Sequence, residues 1–291
     1  MKVLVAGGSG FVGRHLVARL GREGHEVAVL ARDPSRAPRG ATFVTGDLAD
    51  GGALEAALAS VDAVVNLVAI ITERGSQTFD RTNVGATRNL LDAMKKRGVE
   101  RLVHLSALGA GPDPSFPYLR SKWLAEEAVR ASDRSFTILR PSVLHGEGAG
   151  FFRSIVWTLR WAPVYPMVAG GGTRFSPLWI EDLAGCVVAC LRGEATRVTL
   201  DVGGPEVLTF SDIVALVMET LGKRRRIVDV PLWAARPFAL VQGLRRDPLV
   251  TNQQLDMVVL DNACAPGSVS ETFGFPPRRM RDTDLRWLAR L

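Results

Sequence analysis

Hydrophobic and polar positions alternate with two different periods along the first half of the chain. Short apolar runs, typical of strands covered on both faces, alternate with longer segments whose apolar positions recur at helical spacing. The predicted strands are 3–6, 26–30, 42–45, 63–69, 101–106 and 136–139. The predicted helices are 11–22, 54–59, 80–97 and 117–132. This alternation predicts an α/β fold with a doubly wound parallel sheet and right-handed crossovers.

The second half of the chain has a less regular pattern. It contains a glycine turn at 170–172, a strand and a helix within 175–193, a strand at 199–202, and helices at 210–222, 231–246 and 280–291. No clean linker separates the two halves. We therefore expect a doubly wound domain over residues 1–145 and a smaller mixed lobe over 146–291, with 175–203 returning to the core of the first domain.

Composition and charge narrow the class of protein. With 47% hydrophobic and 23% charged residues among 291, the chain is an ordinary globular one, which excludes disorder, collagen and coiled coil as its main structure. Three cysteines, an odd number without a C-x-x-C pair, favour a reducing compartment. The four histidines are scattered, so no metal site is predicted.

The sequence also bears on location and partners. It has no uncharged apolar run of about 18 residues and no export signal, so we expect a cytoplasmic protein. The net charge of +6 permits an anionic cofactor, a membrane surface or nucleic acid. Aromatic residues do not interleave with the basic run 223–226, so nucleic acid is not expected. That run is either a solvated helix end or a phosphate or lipid contact.

A glycine loop carries the clearest chemical signal. Gly7, Gly10 and Gly13 follow a predicted strand and open a predicted helix. Such glycines allow a tight turn, close approach of a pyrophosphate and close packing of helix on strand, while the helix N-terminus attracts the phosphates. The pattern therefore predicts a Rossmann dinucleotide site; the alternative is a glycine-rich turn without a ligand.

The end of the second strand bears on the choice of cofactor. Arg32 directly follows this strand, where an arginine accommodates the 2′-phosphate of NADP and an acidic residue binds the ribose of NAD. Ser9 in the glycine loop offers another hydroxyl donor. We expect NADP; NAD remains the alternative if Asp33 holds the ribose instead of capping the following turn.

A tyrosine and a lysine supply candidate catalytic groups. Tyr118 and Lys122 are four residues apart, so on a helix they share one face. A nearby ammonium lowers the pKa of a phenol and can also hold a ribose hydroxyl. The pair predicts proton transfer by Tyr118 coupled to hydride transfer at a nicotinamide. The alternative is an exposed tyrosine at a helix start beside a solvated lysine.

Several segments together resemble a known superfamily. The glycine loop and the segments TNVGATRNLL, HLSALGA, YLRSK and LRPSVLHGEG resemble the short-chain dehydrogenases/reductases, especially the extended and atypical, epimerase/dehydratase-like branches. Within them the chain is most similar to relatives of the NAD(P)H-binding accessory subunit of respiratory complex I. The resemblance covers most of the chain, strongly to about residue 185.

The resemblance implies roles for particular residues. It makes Tyr118 and Lys122 the catalytic pair, both also contacting the cofactor, and Asp182 a helix-start residue whose duty is capping. It implies further cofactor contacts at Gly7, Gly10, Phe11, Val12, Gly13, Asp47, Leu48, Val68, Ala69, Pro141, Ser142 and Val143.

One departure from the family pattern affects catalysis. Active extended members carry a Ser or Thr after the fifth strand that binds the substrate oxygen. One alignment makes Ser106 this third catalytic residue, and another places Ala107 there, which removes the donor. Asn83 either orders water near the lysine or binds backbone.

The segment 151–168 is rich in aromatic residues. Its apolar positions Phe152, Ile155, Val156 and Leu159, and more loosely Phe151, form a helical stripe. Three interpretations stay open: a lid over an apolar substrate pocket, an interfacial helix at the inner face of a membrane, or a helix that packs the lobes or a homodimer together.

These features favour an enzyme over a non-catalytic protein. The favoured function is an NADP-dependent oxidoreductase or epimerase that acts on a small, lipophilic or quinone-like substrate. The alternative is a non-catalytic NADP(H)-binding accessory or assembly protein of a respiratory or membrane complex.

Overall fold

The computed structural model describes residues 1–243, 245 and 248–291. This part of the chain forms two compact units. The first comprises Met1–Pro141 and Ile180–Asp201, and the second comprises Ser142–Trp179 and Val202–Leu291. The end of the helix predicted over 231–246 lies outside the described residues.

Thirteen strands and ten α-helices are present in the described residues. The strands are β1 (Lys2–Ala6), β2 (Glu26–Ala31), β3 (Thr42–Thr45), β4 (Ala63–Asn66), β5 (Arg101–Leu105), β6 (Ser135–Pro141), β7 (Leu144–His145), β8 (Val164–Val168), β9 (Arg174–Phe175), β10 (Leu178–Trp179), β11 (Val198–Val202), β12 (Leu208–Thr209) and β13 (Arg226–Val230). The helices are α1 (Phe11–Arg22), α2 (Gly51–Ala57), α3 (Ala86–Arg97), α4 (Pro117–Arg130), α5 (Phe151–Trp161), α6 (Ile180–Leu191), α7 (Phe210–Thr220), α8 (Leu232–Gly243), α9 (Asn252–Met257) and α10 (Ser268–Phe273).

A seven-stranded sheet forms the core of the first unit. Its order is β11-β6-β5-β4-β1-β2-β3, and strands β1 to β6 pair in parallel. All four residues of β4 are buried, as expected of a strand covered on both faces. The predicted doubly wound parallel fold is confirmed, and α1 has the predicted bounds.

The strand order places the ligand-binding edge of this sheet. The chain runs outward from β1 through β2 to β3, then returns to the other side of β1 with β4. In such sheets the crevice at this switch point, beyond the carboxyl ends of the strands, receives the ligand. The glycine loop follows β1 at this edge.

The second unit is built from short ladders instead of one sheet. Strands β7 and β10 pair in parallel, as do β8 and β13, whereas β9 and β12 pair antiparallel. The predicted stripe on α5 is confirmed, because Phe152, Ile155, Val156 and Leu159 are all buried. No helix among residues 1–243, 245 and 248–291 has the length and apolar character required to span a bilayer.

One prediction for the second unit was wrong. Residues 280–291 form two short 3₁₀ turns, Met280–Asp282 and Arg286–Arg290, instead of one helix. Asp284 accepts a hydrogen bond from the backbone N–H of Arg286 at 2.9 Å, a local turn that competes with the helical pattern. The basic run 223–226 lies between α7, which stops at Thr220, and the strand that begins at Arg226. Its other interpretation, a phosphate or lipid contact, stays a prediction.

Candidate functional site

The glycine loop turns tightly after β1. Gly7 has a φ of +80°, a conformation that side chains other than glycine rarely adopt, and its carbonyl accepts a hydrogen bond from the N–H of Gly10 at 3.1 Å. A β-carbon on Gly13 would overlap the backbone of Gly8. Helix α1 can therefore pack against the loop only with glycine at position 13.

The start of α1 suits an anion. Gly10 occupies the N-cap without a side-chain cap, and the first helical turn, which includes Phe11 and Val12, has no acidic residue. The first N–H groups of a helix lack intrahelical partners and carry a partial positive charge. The loop and helix start thus fit the pyrophosphate of a dinucleotide, with Ser9 between them.

Arg32 and Asp33 follow β2 directly, and their surroundings differ. Asp33 caps the turn Pro34–Arg36, accepting hydrogen bonds from the N–H and hydroxyl of Ser35 at 3.0 and 2.6 Å, and these bonds lower its pKa. The Arg32 guanidinium is exposed, 3.9 Å from the Asp47 carboxylate. Asp33 therefore caps the following turn, one of the two roles considered for it.

The adenine and ribose candidates lie after β3 and β4. Asp47 binds the N–H of Ala49 at 3.0 Å, and the buried Leu48 offers its carbonyl to Asn89 at 3.0 Å. Beyond β4, Val68 is half-buried and Ala69 is exposed. A β-carbon on Gly7 would lie 3.2 Å from the backbone N of Val68, so the loops after β1 and β4 are in contact.

Buried amides join these loops to α4. Asn83 binds the backbone of Ile70 through its carbonyl at 2.8 Å and through its amide at 3.0 Å. Its amide also donates to the hydroxyl of Ser121 at 2.8 Å, and Ser121 donates to the carbonyl of Tyr118 at 2.7 Å. Asn83 therefore binds backbone, one of the two roles considered for it, and fixes the first turn of α4.

Lys122 is almost fully withdrawn from solvent, with 2% of its surface exposed. Its ammonium donates to the carbonyl of Leu105 at 2.6 Å. Burial lowers the pKa of Lys122 to about 8, and the buried carboxylate of Glu126 opposes that shift. The alternative of a solvated lysine is therefore wrong.

Tyr118 lies in the same helix, four residues before Lys122. It is half-buried, with its ring 6.1 Å from that of Phe79, and burial raises its pKa to about 12. We expected the ammonium to lower this pKa. The structure shows the opposite direction because burial dominates while Lys122 binds a carbonyl.

Ser106 lies directly after β5 and is buried. Its backbone N–H donates to the carbonyl of Leu139 at 2.7 Å, but its hydroxyl has no hydrogen-bond partner among the residues that the structure describes. A buried hydroxyl without a partner is costly, so this position suits a polar atom of a bound molecule. The neighbouring Ala107 is only half-buried.

Two polar residues of the site were missed by the sequence analysis. His104 on β5 lies with its Nδ1 3.2 Å from the amide of Asn66, and burial together with the charge of Lys122 keeps its pKa well below the usual range. Asn66 ends β4 and accepts from the N–H of Val68 at 3.1 Å. A polar residue closing an otherwise apolar strand was the available signal.

The remaining predicted cofactor residues follow β6. Pro141 ends that strand in the first unit. In the second unit, the hydroxyl of Ser142 donates to the backbone carbonyl of Asn262 at 2.5 Å, and the N–H of Val143 donates to the Asn262 side chain at 2.9 Å. These polar groups therefore bind Asn262, a partner that the sequence did not indicate, and their contact with a cofactor stays a prediction.

The first unit thus defines a class: a Rossmann protein with a glycine loop that suits a pyrophosphate, a buried Lys122 and a half-buried Tyr118. The family model described as NAD(P)H-binding matches residues 7–155. The chain belongs to this NAD(P)H-binding family, and its resemblance to the extended and atypical short-chain dehydrogenases/reductases is confirmed.

Similar proteins include a subunit named for NADH dehydrogenase [ubiquinone] and a reductase. The chain is 29% identical to "NADH dehydrogenase [ubiquinone] 1 alpha subcomplex subunit 9, mitochondrial" of Arabidopsis thaliana, over 84% of this chain and 63% of that protein. It is 28% identical to ceramide reductase of Caulobacter vibrioides, over 79% of this chain and 73% of that protein. The chain thus spans less than two thirds of the plant relative.

A solved structure matches the whole chain. This is MoeE5 in complex with UDP-glucuronic acid and NAD, with a TM-score of 0.75 and 25% identity, covering 100% of this chain and 99% of the other. The sequence relatives and this structure establish an NAD(P)-binding, oxidoreductase- or epimerase-like protein.

Proposed function

We propose that this protein is an NADP-dependent reductase of a small lipophilic substrate, with Tyr118, Lys122 and Ser106 as its catalytic residues. The observation that carries the proposal is the buried Lys122 ammonium beside the carboxyl end of β5, where Ser106 presents a hydroxyl without a partner. Buried charge and orphaned polar groups are costly and cluster at functional sites.

The pKa values of the pair are compatible with proton donation by Tyr118. With a pKa of about 12, Tyr118 is protonated at neutral pH and can donate its phenol proton to a substrate oxygen. Lys122, with a pKa of about 8, keeps its positive charge and stabilises the phenolate left behind. A bound nicotinamide supplies the hydride. Ser106 would orient the substrate oxygen.

The preference for NADP rests on the residues after β2. Asp33 is engaged as a cap, whereas the Arg32 guanidinium is exposed, lies 3.9 Å from an Asp47 carboxylate oxygen and contacts the side-chain amide of Gln77. An arginine here can bind a 2′-phosphate bidentately. We expect Arg32→Ala to weaken NADPH binding about tenfold or more and NADH binding little. Arg36→Ala, an exposed arginine of the same turn, is the matched control in fluorescence titrations.

The lipophilic substrate is supported by the ceramide reductase relative, since ceramide is a lipid. The proposal is tested by NADPH oxidation with apolar ketones and quinones. Tyr118→Phe should reduce turnover about 10²- to 10⁴-fold while NADPH affinity stays within about twofold. Tyr165→Phe alters the other tyrosine and should leave turnover intact. Equal rates for both variants would refute the assigned role of Tyr118.

A second candidate is a non-catalytic NADP(H)-binding subunit of a membrane complex. It is supported by the relative named as a subunit of NADH dehydrogenase [ubiquinone]. In that case the co-purified nucleotide stays unreacted with every substrate tried, and the protein elutes with a larger assembly from native membranes. Mass analysis of the bound nucleotide, followed by single-turnover oxidation, separates the two functions.

A further inference from the structure

Helix α8 in the second unit has an unusual distribution of polar and apolar residues. Trp233, Pro237, Leu240 and Val241 follow the i, i+4, i+7, i+8 spacing of one helix face. All four are exposed, and Trp233 has 76% of its surface exposed. The residues buried on the opposite side are Ala239 and Gln242. A helix at a protein–water surface has the reverse arrangement.

A second apolar surface lies on the ladder of β8 and β13. In β8, Tyr165 and Met167 are buried, while Val164 and Pro166 point outward. Val164 pairs with Arg226 and Pro166 pairs with Val228, so these four side chains share the outward face. The chain passes from β13 to α8 through a single residue. Trp161, at the end of α5 just before β8, is 74% exposed.

Basic residues border these apolar surfaces. Between positions 223 and 243 the chain has five basic residues and one acidic residue. Lys223, Arg224 and Arg226 are exposed, and none has an ion-pair partner within the described part of the chain. Arg236, on α8, is paired with Asp256 at 2.7 Å. These exposed residues, which follow one another closely along the chain or pair with it in the ladder, thus combine tryptophans and aliphatic side chains with basic groups at Lys223, Arg224 and Arg226 that have no ion-pair partner in the described part of the chain.

We propose that this surface, formed by α8 and the outward face of β8 and β13 together with residues 223–226, docks on an anionic lipid bilayer. Interfacial segments insert Trp, Phe and Leu at the level of the headgroups, and their Lys and Arg residues bind anionic lipids. A second copy bound face to face would bring the same positive run near itself. Anionic headgroups neutralise the run and accept the apolar face together.

The test is flotation of the full chain with vesicles of phosphatidylcholine alone and of phosphatidylcholine containing phosphatidylglycerol. We expect binding to the anionic vesicles that weakens as salt rises. The double variant Trp233→Ser/Leu240→Ser should lower the partition coefficient about tenfold or more, because two apolar side chains no longer enter the interface. Val207→Ser, another exposed apolar residue of the second unit, is the matched control.

The charge contribution is tested separately. Lys223→Glu/Arg224→Glu should weaken binding to anionic vesicles about tenfold or more, since each lost basic contact costs about fivefold. Arg88→Glu/Lys95→Glu changes the net charge equally on α3 of the first unit and should have little effect. Melting temperature and NADPH affinity, which the proposal expects to be unchanged, show that each variant is folded.

Two results would overturn the proposal. One is anionic-vesicle binding that is absent from the wild type or unchanged in both double variants. The other is a change in sedimentation from dimer to monomer in Trp233→Ser/Leu240→Ser without loss of vesicle binding, which would make the surface an interface between two copies. Neither result depends on turnover, so the proposed reductase activity is unaffected by them.

Discussion

The two units of the chain fix their polar groups by different means. In the first unit, backbone ladders of a single sheet bring Gly7, Asn66 and Ser106 to the carboxyl ends of neighbouring strands. In the second unit, the ladders have two strands each, and side chains tie distant segments together. Asn262 binds both Ser142 and Val143, about 120 positions earlier in the chain.

This difference explains where each unit is sensitive to substitution. At the glycine loop, the first unit depends on backbone conformation and on the space between backbone segments, so Gly13 is a critical position. At the segment after β6, the second unit depends on hydrogen bonds to one side chain, so Asn262 is a critical position. Substitutions at matched neighbouring positions can therefore test the comparison.

The largest effect is expected at Gly13. Gly13→Val would force the new side chain into the backbone of Gly8, so we expect a loss of about 3 kcal/mol or more in the free energy of unfolding, together with loss of NADPH binding. Gly21→Val, in the same helix, meets open space and should change stability by about 0.5 kcal/mol or less. Urea unfolding and fluorescence titration measure both variants. Similar stabilities for the two would contradict the packing argument.

The difference between one continuous sheet and separate two-stranded ladders also explains how much of each unit could be predicted from the sequence. The strands of the first unit are continuous apolar runs, and the loop after β1 has a glycine spacing with a defined role, so fold and cradle followed from local pattern. The pKa of Tyr118 could not be predicted from the local pattern. It depends on burial and on the Leu105 carbonyl that binds the Lys122 ammonium.

In the second unit the local pattern was less informative. Strand β13 is exposed at four of its five positions, so it shows no alternation of buried and exposed residues, and its pairing with β8 spans about 60 residues. The role of Asn262 likewise depends on partners far away in sequence. Neither feature has a local signal that reasoning from one sequence can detect.

A smaller effect is expected at Asn262. Asn262→Ala removes the acceptor for the N–H of Val143 and one acceptor of Ser142, so we expect a loss of about 1–3 kcal/mol in the free energy of unfolding. Asp261→Ala, the adjacent position, breaks an exposed ion pair with Arg174 and an exposed hydrogen bond from the backbone N–H of Arg174, and should cost less because both are solvated. Denaturant unfolding provides the measurement. A larger loss in Asp261→Ala would show that the exposed ion pair, not the amide, holds these segments.

The smallest expected effect is a change in tyrosinate absorbance, to which one tyrosine in each unit contributes. The chain has two tyrosines, Tyr118 in the first unit and Tyr165 in the second. Burial raises the pKa of Tyr118 to about 12 and also raises that of Tyr165. At about pH 11 the folded protein should therefore show little tyrosinate absorbance, whereas the urea-unfolded chain, with tyrosine pKa values near 10, should be mostly ionised.

The direction in which stability changes with pH follows from the number of protons that each state binds. Between about pH 10 and 12 the folded state retains phenol protons that the unfolded state releases, so the contribution of both tyrosines to stability falls as pH rises through this range. Tyr165→Phe leaves Tyr118 as the only reporter, and Tyr118→Phe leaves Tyr165. If the first variant ionises near pH 10 while still folded, the phenol of Tyr118 is solvated, and its assignment to a buried site fails.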